Sequence, residues 1–476
     1  MSQPAMSQPV VNAAFEQKKY TVAEFFCGCG GFSHGFVRSG RFNAVLGNDI
    51  KKAALRTFEF NHSRHGFTPK ILEGDIRTIS IESIVRTLDD KGVGIGELDC
   101  LIGGPPCQGF SQMRRSEERK DDAIVSFKGY NRLDQDPRND LVLRFLEIAN
   151  ALRPKFILIE NVPQMLTHGH NGQPGGLARD VETLLRELEY DVAVDVLNAA
   201  DYGVPQLRER AFFVACRIGN ATLPAPTHVG LDLAGGLPFG LKPWVTVADA
   251  ISDLPTPPEH VDTFGGGPLD NYLNIELSDY GRAMRSDECF PYNHVTRNYQ
   301  GRIIDTIKQM LPGETWDHAS ERMRSHYEKL IEEVSISGDS RDAVKKMLIE
   351  QKIINPIFYR KYYWSAYTRL SPSRPALTIT ANSNFLGSGR FTHPSQDRGI
   401  TMREAARLQS FDDDFRLVTS ATDSTVTNTI GVGMDMIGEA VPPLLGRSFA
   451  QLIAAQLDAE ADSADVKLAA HVSAHR

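Results

Sequence analysis

Thr21-Val22-Ala23-Glu24-Phe25-Phe26-Cys27-Gly28-Cys29-Gly30-Gly31 decides the fold. The run from Thr21 to Phe26 reads as a strand, the glycines that follow cannot extend it, and Phe32 to Arg38 returns to helical spacing. A strand, a glycine turn and a helix in that order bring backbone N–H groups to a helix N-terminus, where a ligand can approach closely. Ser33 stands where a dinucleotide fold would place its third glycine, so NAD is a poor fit.

Working outward, the same unit recurs. Asn43 to Gly47 reads as a second strand ending in Asn48-Asp49, and an acid about 20 residues after the glycines suits ribose hydroxyls. Lys70 to Glu73 leads into Gly74-Asp75-Ile76, where the acid could accept from an adenine amine. Either aspartate alone is equally explained as the cap of a following helix. Three successive strand ends with a glycine turn and two acids favour an adenosine-bearing ligand.

A fourth strand, Leu98 to Ile102, runs into Gly103-Gly104-Pro105-Pro106-Cys107-Gln108-Gly109-Phe110-Ser111. The prolines and glycines fix a turn that continues neither strand nor helix, so Cys107 is displayed at a sheet edge. Two readings fit: a nucleophile, or a small apolar residue in a tight turn. A fifth strand, Phe156 to Ile159, ends in Glu160-Asn161-Val162-Pro163. Helical stretches Lys51 to Asn61, Ile81 to Leu88, Leu141 to Leu152 and Leu177 to Leu188 alternate with the strands. The expected fold is α/β with a mostly parallel sheet and ligands outside the strands' carboxyl ends, so Cys107 and Glu160 share one cleft. Ser111 to Asp140, charged and long, is either a lid over that cleft or an idle insert. Arg208 and Arg210, just before the strand Ala211 to Ala215, either aim into the cleft or are held by Glu209 and other surface acids.

After Arg217 the texture changes. Thr222 to Gly281 is rich in proline and glycine, which marks a second domain, with helical segments following around Arg302 to Met310 and Glu321 to Ile354. Asn355 to Arg374 carries Arg360, Lys361, Arg369 and Arg374 without an acid, interleaved with six aromatic residues. That pattern suits a nucleic-acid surface, and it equally suits aromatic strands in a small core. Thr401 to Ser410 reads as a helix, and Ile437 to Pro443 precedes an amphipathic stretch to about Leu457. Residues 1–18 and 459–476 read as a flexible leader and a frayed tail.

Net charge is -8, which argues against a polyanionic partner unless positive charge is clustered. Hydrophobic residues make up 41% and charged residues 24%, and no apolar run approaches the roughly 20 residues of a membrane span, so a soluble, cytoplasmic protein is expected. The six cysteines show neither a disulfide framework nor zinc spacing, and no metal is expected.

Taken together, these motifs resemble those of the DNA cytosine-5 methyltransferases. Phe26-x-Gly28-x-Gly30-Gly31 resembles the family's cofactor loop, Pro105 to Ser111 its nucleophile motif, Glu160-Asn161-Val162 its acid motif and Gln206-x-Arg208-x-Arg210 its arginine motif. Arg398 to Phe411 and Ile437 to Pro443 are similar to its C-terminal segments, in the family's order. The resemblance implies a Rossmann-like fold that uses S-adenosyl-L-methionine, with catalytic Cys107, Glu160, Arg208 and Arg210. It places Phe26, Gly28, Gly31, Asp49, Ile50, Asp75, Ile76, Pro106, Leu141, Glu439 and Ala440 at the cofactor. Two of these depart from the family pattern: Glu439 replaces the usual Asn, and Ile50 replaces an aromatic residue beside adenine.

The implied organisation is a catalytic domain over 19–217, a target-recognition domain over 218–397 and a return to the catalytic domain over 398–458. Ser111, Gln206, Arg360, Lys361, Arg369 and Thr378 are expected to contact duplex DNA. A separately acting restriction endonuclease partner and a monomeric state are further expectations. The rival readings are an RNA cytosine-5 methyltransferase and a DNA-binding regulator on an inactive scaffold.

Overall fold

The computed structural model describes residues 17–64, 66–106, 139–167, 175–230, 237–257, 271–287, 291–295, 297–299, 301–335, 340–362, 364–383, 385–417 and 430–474. The first half of the chain runs β1 (Tyr20–Phe25), α1 (Gly31–Arg38), β2 (Phe42–Asp49), α2 (Lys52–Ser63), β3 (Lys70–Glu73), α3 (Ile81–Asp89), β4 (Cys100–Gly103), α4 (Asn139–Leu152), β5 (Phe156–Asn161), α5 (Gly176–Glu187), β6 (Asp191–Asn198), β7 (Gln206–Leu207) and β8 (Glu209–Cys216).

Seven of these strands form one sheet in the order β3-β2-β1-β4-β5-β8-β6. The pairs from β3 to β5 are parallel, and β8 is antiparallel to both β5 and β6. The mostly parallel sheet expected from the sequence is therefore present. β4 is buried along its whole length and β5 nearly so, because helices cover both faces, and such strands read as unbroken apolar runs. One face packs on α3, α4 and α5 through Ile84, Leu88, Phe145 and Val181; the other packs on α1 and α2 through Phe32, Phe36 and Phe58. The order reverses between β1 and β4, so the glycine turn and the proline turn leave neighbouring strands on either side of the crevice where doubly wound sheets bind ligands.

After β8 come short paired strands β9 (His228–Val229) and β10 (Lys242–Pro243), then α6 (Val247–Ile251), α7 (Asp279–Met284), α8 (Arg302–Ile307), α9 (Trp316–Val334) and α10 (Arg341–Glu350). The helix expected over Glu321 to Ile354 is thus two helices. β11 (Ala376–Leu377) pairs in parallel with β7, and α11 (Met402–Leu408), α12 (Ile430–Glu439) and α13 (Pro443–Ala474) complete the chain. A separate hydrophobic core joins α6, α9 and α10 to Phe358, Tyr367, Phe391, α11 and α12. The aromatic stretch after Asn355 belongs largely to this core: Trp316 stacks on Phe358 at 5.3 Å, and Tyr362 and Tyr367 pack around the same indole.

The tail differs from expectation. α13 runs to Ala474 instead of ending near Leu457. Its first half covers the sheet through Leu445, Phe449 and Ile453, and Asp458 accepts from Tyr20 Oη at 2.6 Å and from Arg41 Nη2 at 2.7 Å. The alanine-rich sequence beyond has high helix propensity and propagates from that anchored start. Among the described residues no helix is long and apolar enough to cross a membrane.

Candidate active site

The glycine turn after β1 is shaped by positive φ at Phe26, Gly28 and Gly30, at 55°, 51° and 89°. Gly28 N–H donates to Asp49 Oδ2 at 2.8 Å, and Lys51 N–H donates to Asp49 Oδ1 at 2.8 Å. Both oxygens keep a lone pair for hydroxyl donors. A Cβ at Gly28 would meet nothing within 4 Å, so the loop faces open space there. Ile50, directly after the carboxylate, is 65% exposed. Open space at a glycine, a carboxylate with spare acceptors and an exposed apolar side chain fit an adenosine-bearing ligand.

Other members of the expected cofactor set are placed differently. Asp75 is chelated by Arg77, whose Nε donates to Oδ1 at 3.0 Å and whose backbone N–H donates to the same oxygen at 2.9 Å. Those bonds hold its carboxyl below the ordinary carboxylate range. Ile76 is buried and its carbonyl accepts from Arg144 Nε at 3.2 Å, while Leu141 belongs to the core beneath. Pro106 is exposed at the turn. Gly31 opens α1, and Ala440 lies close to it. Glu439 is not a lone carboxylate, because Lys51 Nζ donates to its Oε1 at 2.7 Å. No sequence signal points to this pair, which is separated by 388 positions.

The second part of the site is built by β5, β8 and the proline turn. Glu160 is 12% exposed in its side chain, Arg210 16%, and Arg210 Nε lies 2.8 Å from Glu160 Oε1. Arg210 Nη1 also donates to Glu209 O at 2.7 Å, which orients the guanidinium. A Cβ added at Gly104 would sit 3.1 Å from Glu160 Oε2, so only glycine leaves the carboxylate undisturbed against the turn. Asn161 Nδ2 donates to Pro105 O at 3.0 Å and ties the end of β5 to the same turn. Cys107 and Ser111 lie outside the described residues, as does most of the expected lid. The described cysteines, Cys27, Cys29, Cys100 and Cys216, are free and buried, and burial pushes each thiol up, away from a reactive thiolate.

Arg208 does not share Arg210's environment. It is 1% exposed, and Nη1 donates to Ile379 O at 2.9 Å while Nη2 donates to Gly438 O at 2.9 Å and Ala440 O at 3.1 Å. Its guanidinium is committed to three carbonyls that tie the residue between β7 and β8 to Ile379 and to the junction of α12 and α13, a positioning role instead of the expected place over a substrate. Burial with no carboxylate bonded to it drives its pKa down.

Two of the expected DNA contacts, Gln206 and Arg369, also prove internal, and a third, Thr378, is half-buried. Gln206 is fully buried, with Nε2 donating to Leu408 O at 3.0 Å and Oε1 accepting from Ile379 N–H at 2.8 Å. Arg369 is 4% exposed, and donates to Ile307 O at 2.6 Å and to Asp397 Oδ1 at 2.7 Å. Thr378 Oγ1 donates to Leu207 O at 2.8 Å. Unpaired cations in the sequence become core ties here because the carbonyls and acid they meet come from distant segments. Arg360 and Lys361 do line an open groove of about 620 Å³ with Trp316, Asp317, Glu321 and Arg324.

The chain is similar to known proteins over most of its length. The type II methyltransferase M.AgeI of Thalassovita gelatinovora is 30% identical, over 90% of this chain and 98% of its own length. M.DdeI of Desulfomicrobium norvegicum, another type II methyltransferase, is 29% identical over 91% of this chain and 88% of its own. A crystal structure of an E. coli prophage protein described as a DNA modification methyltransferase shares the fold, with a TM-score of 0.60 at 21% identity, covering 92% of this chain and all of that one. The model of the C-5 cytosine-specific DNA methylases matches residues 20–455, and the chain belongs to that family.

Proposed function

We propose that this DNA cytosine-5 methyltransferase uses S-adenosyl-L-methionine to methylate a flipped cytosine in a specific duplex site, through a covalent Cys107 adduct. The observation that carries the reading is the contact of Glu160 and Asn161 with the Gly104-Pro105 turn, which sets a carboxylate beside the segment leading into Cys107.

Cytosine carbon 5 is too weak a nucleophile to take a methyl group unaided. Cys107 thiolate adds to carbon 6, and electron density moves toward ring nitrogen 3 and carbon 5. Glu160 delivers a proton to nitrogen 3 as negative charge develops there, while Arg210 steers Glu160 and faces the base's carbonyl oxygen. S-adenosyl-L-methionine, when bound, supplies an electrophilic sulfonium methyl to carbon 5. Loss of the carbon 5 proton and departure of Cys107 then restore the aromatic ring. Asp49 and the Gly28 loop hold the nucleoside end of the donor, with Ile50 against its base.

Because carbon 6 is inaccessible inside a duplex, the base must leave the stack, and the segment after Ser111 is proposed to close behind it. Residues 218–397 would recognise the target, with Arg360 and Lys361 meeting backbone phosphates. A cytoplasmic monomer acting beside a separate restriction endonuclease is the proposed setting. Bisulfite sequencing of DNA from cells expressing the protein should reveal protected cytosines in one sequence context. The Cys107→Ser variant should give none while still binding duplex DNA; full protection by that variant would rule out the covalent route.

A further inference from the structure

In the second core nearly every buried arginine is committed to a partner. Arg369 meets Asp397, Arg398 meets Glu404, Arg403 meets the Tyr292 and Asp412 carbonyls, and Arg407 meets Asp253 and Asp413. Arg390 is the exception. It is half-buried, and among the described residues its side chain makes neither a hydrogen bond nor an ion pair. Its guanidinium carbon lies over the Trp364 ring, 5.1 Å from the centroid. Trp364 is itself 49% exposed.

Both residues are mounted rigidly. Trp364 O accepts from Trp316 N–H at 2.9 Å, and the next residues, Ser365 and Ala366, are buried. Arg390 lies between Gly389, which packs against Ser365, and Phe391, which is 1% exposed. Tyr367 N–H donates to Leu386 O at 2.9 Å and Leu370 N–H to Thr392 O at 3.0 Å, so the two segments are clamped together beside the pair. The same polypeptide is bonded to the active-site strand, through Thr378 to Leu207 at 2.8 Å and through Ile379 to Gln206 and Arg208. A ligand held by Arg390 is therefore in fixed register with Glu160 and Arg210.

A half-buried cation without an acid needs an acceptor from outside, and its place over an indole limits where its N–H fork can point. A phosphate is met adequately by a mobile point charge; a fixed planar fork matches the paired O6 and N7 acceptors of guanine in the major groove. We propose that Arg390, placed over the Trp364 indole, reads a guanine of the target sequence and is a specificity-determining residue of this enzyme. This rests on the proposed function above.

The test begins with the protected sequence from bisulfite mapping, whose absence would defeat the proposed function itself and not this assignment alone. With that sequence, duplexes carrying 7-deazaguanine at each guanine in turn are titrated against wild-type protein, Arg390→Lys, Arg390→Ala and Trp364→Ala, each checked for an unchanged melting temperature. The expected result is one guanine whose modification weakens wild-type binding. There both Arg390 variants should bind the unmodified duplex roughly ten- to a hundredfold more weakly and show no further loss on modification. Trp364→Ala should give an intermediate loss at the same position. A uniform loss insensitive to 7-deazaguanine, restored in Arg390→Lys and lowering the log–log salt slope by about 1, would make Arg390 a phosphate contact and overturn the proposal. Unchanged affinity and site preference in both Arg390 variants would overturn it as well.

Discussion

Replacing Arg208 and Arg210 separately by alanine should give opposite phenotypes, although the two lie two residues apart. Arg208→Ala removes three hydrogen bonds of 2.9, 2.9 and 3.1 Å and strands the carbonyls of Ile379, Gly438 and Ala440 in the interior. A bond from a charged donor contributes about 1.5–3 kcal/mol, part of it offset by the desolvation of the guanidinium, so the net loss should be about 3–5 kcal/mol. Arg210→Ala breaks a pair bordering the cleft, where water can replace the guanidinium, and should cost about 1–2 kcal/mol. Urea denaturation of both variants reads this difference directly.

Kinetics provides the second axis. Arg210→Ala should lower kcat for methyl transfer by roughly a hundredfold or more, as loss of one charge-stabilising donor does, with the affinity for S-adenosyl-L-methionine unchanged. Arg208→Ala should weaken donor binding, because the Gly438 to Ala440 segment it holds approaches the cofactor loop. If Arg208→Ala kept wild-type stability and donor affinity but lost kcat, the division of labour between the arginines would be wrong.

Three further outcomes are expected. Asn161→Ala removes the 3.0 Å tie to Pro105 and should reduce kcat by about ten- to a hundredfold through a misplaced Cys107 turn, while DNA affinity in gel-shift titrations stays unchanged; an unaltered kcat would refute the bracing role. Lys51→Met leaves the Glu439 carboxylate uncompensated and should weaken S-adenosyl-L-methionine binding several-fold in low-salt calorimetry. Both partners are about half exposed, so the effect should fade by about 0.5 M salt, and adding Glu439→Asn should reverse it. A double variant no better than Lys51→Met would argue against the pair. Glu24, beneath the glycine turn, is buried, and burial pushes its carboxyl from 4.5 up to about 8 against the opposing Ser33 N–H bond. The folded protein therefore holds a proton that the unfolded chain releases, and stability should fall as pH rises from 4.5 to about 8. Glu24→Gln should flatten that decline, which amounts to several kcal/mol at about 1.4 kcal/mol per pH unit; parallel curves for variant and wild type would exclude Glu24 as its source.

Much of the molecule was legible in its sequence for a local reason. β1, β4 and β5 are apolar runs closed by glycine, proline or an acid, and parallel strands covered on both faces always read so. Their ends carry the Gly28 loop, the Pro105 turn and Glu160, so the sheet and most of the site follow once alternating helices make the sheet parallel. β6 escaped the reading: its residues alternate Asp191-Val192-Ala193-Val194-Asp195-Val196 at the sheet edge, without the unbroken apolar run of the inner strands.

What the sequence by itself determined about this protein is the order of strands and turns and the chemical groups offered at their ends. The tertiary structure alone decided which charges are free to act. Arg208, Arg210, Arg369 and Arg390 look alike along the chain, since a guanidinium's surroundings come from segments tens to hundreds of residues away. Three carbonyls bind the first, Glu160 the second, and Ile307 and Asp397 the third. Only the fourth rests on an indole with its N–H groups unclaimed among the described residues, because packing brought Trp364 beneath it and no acid beside it.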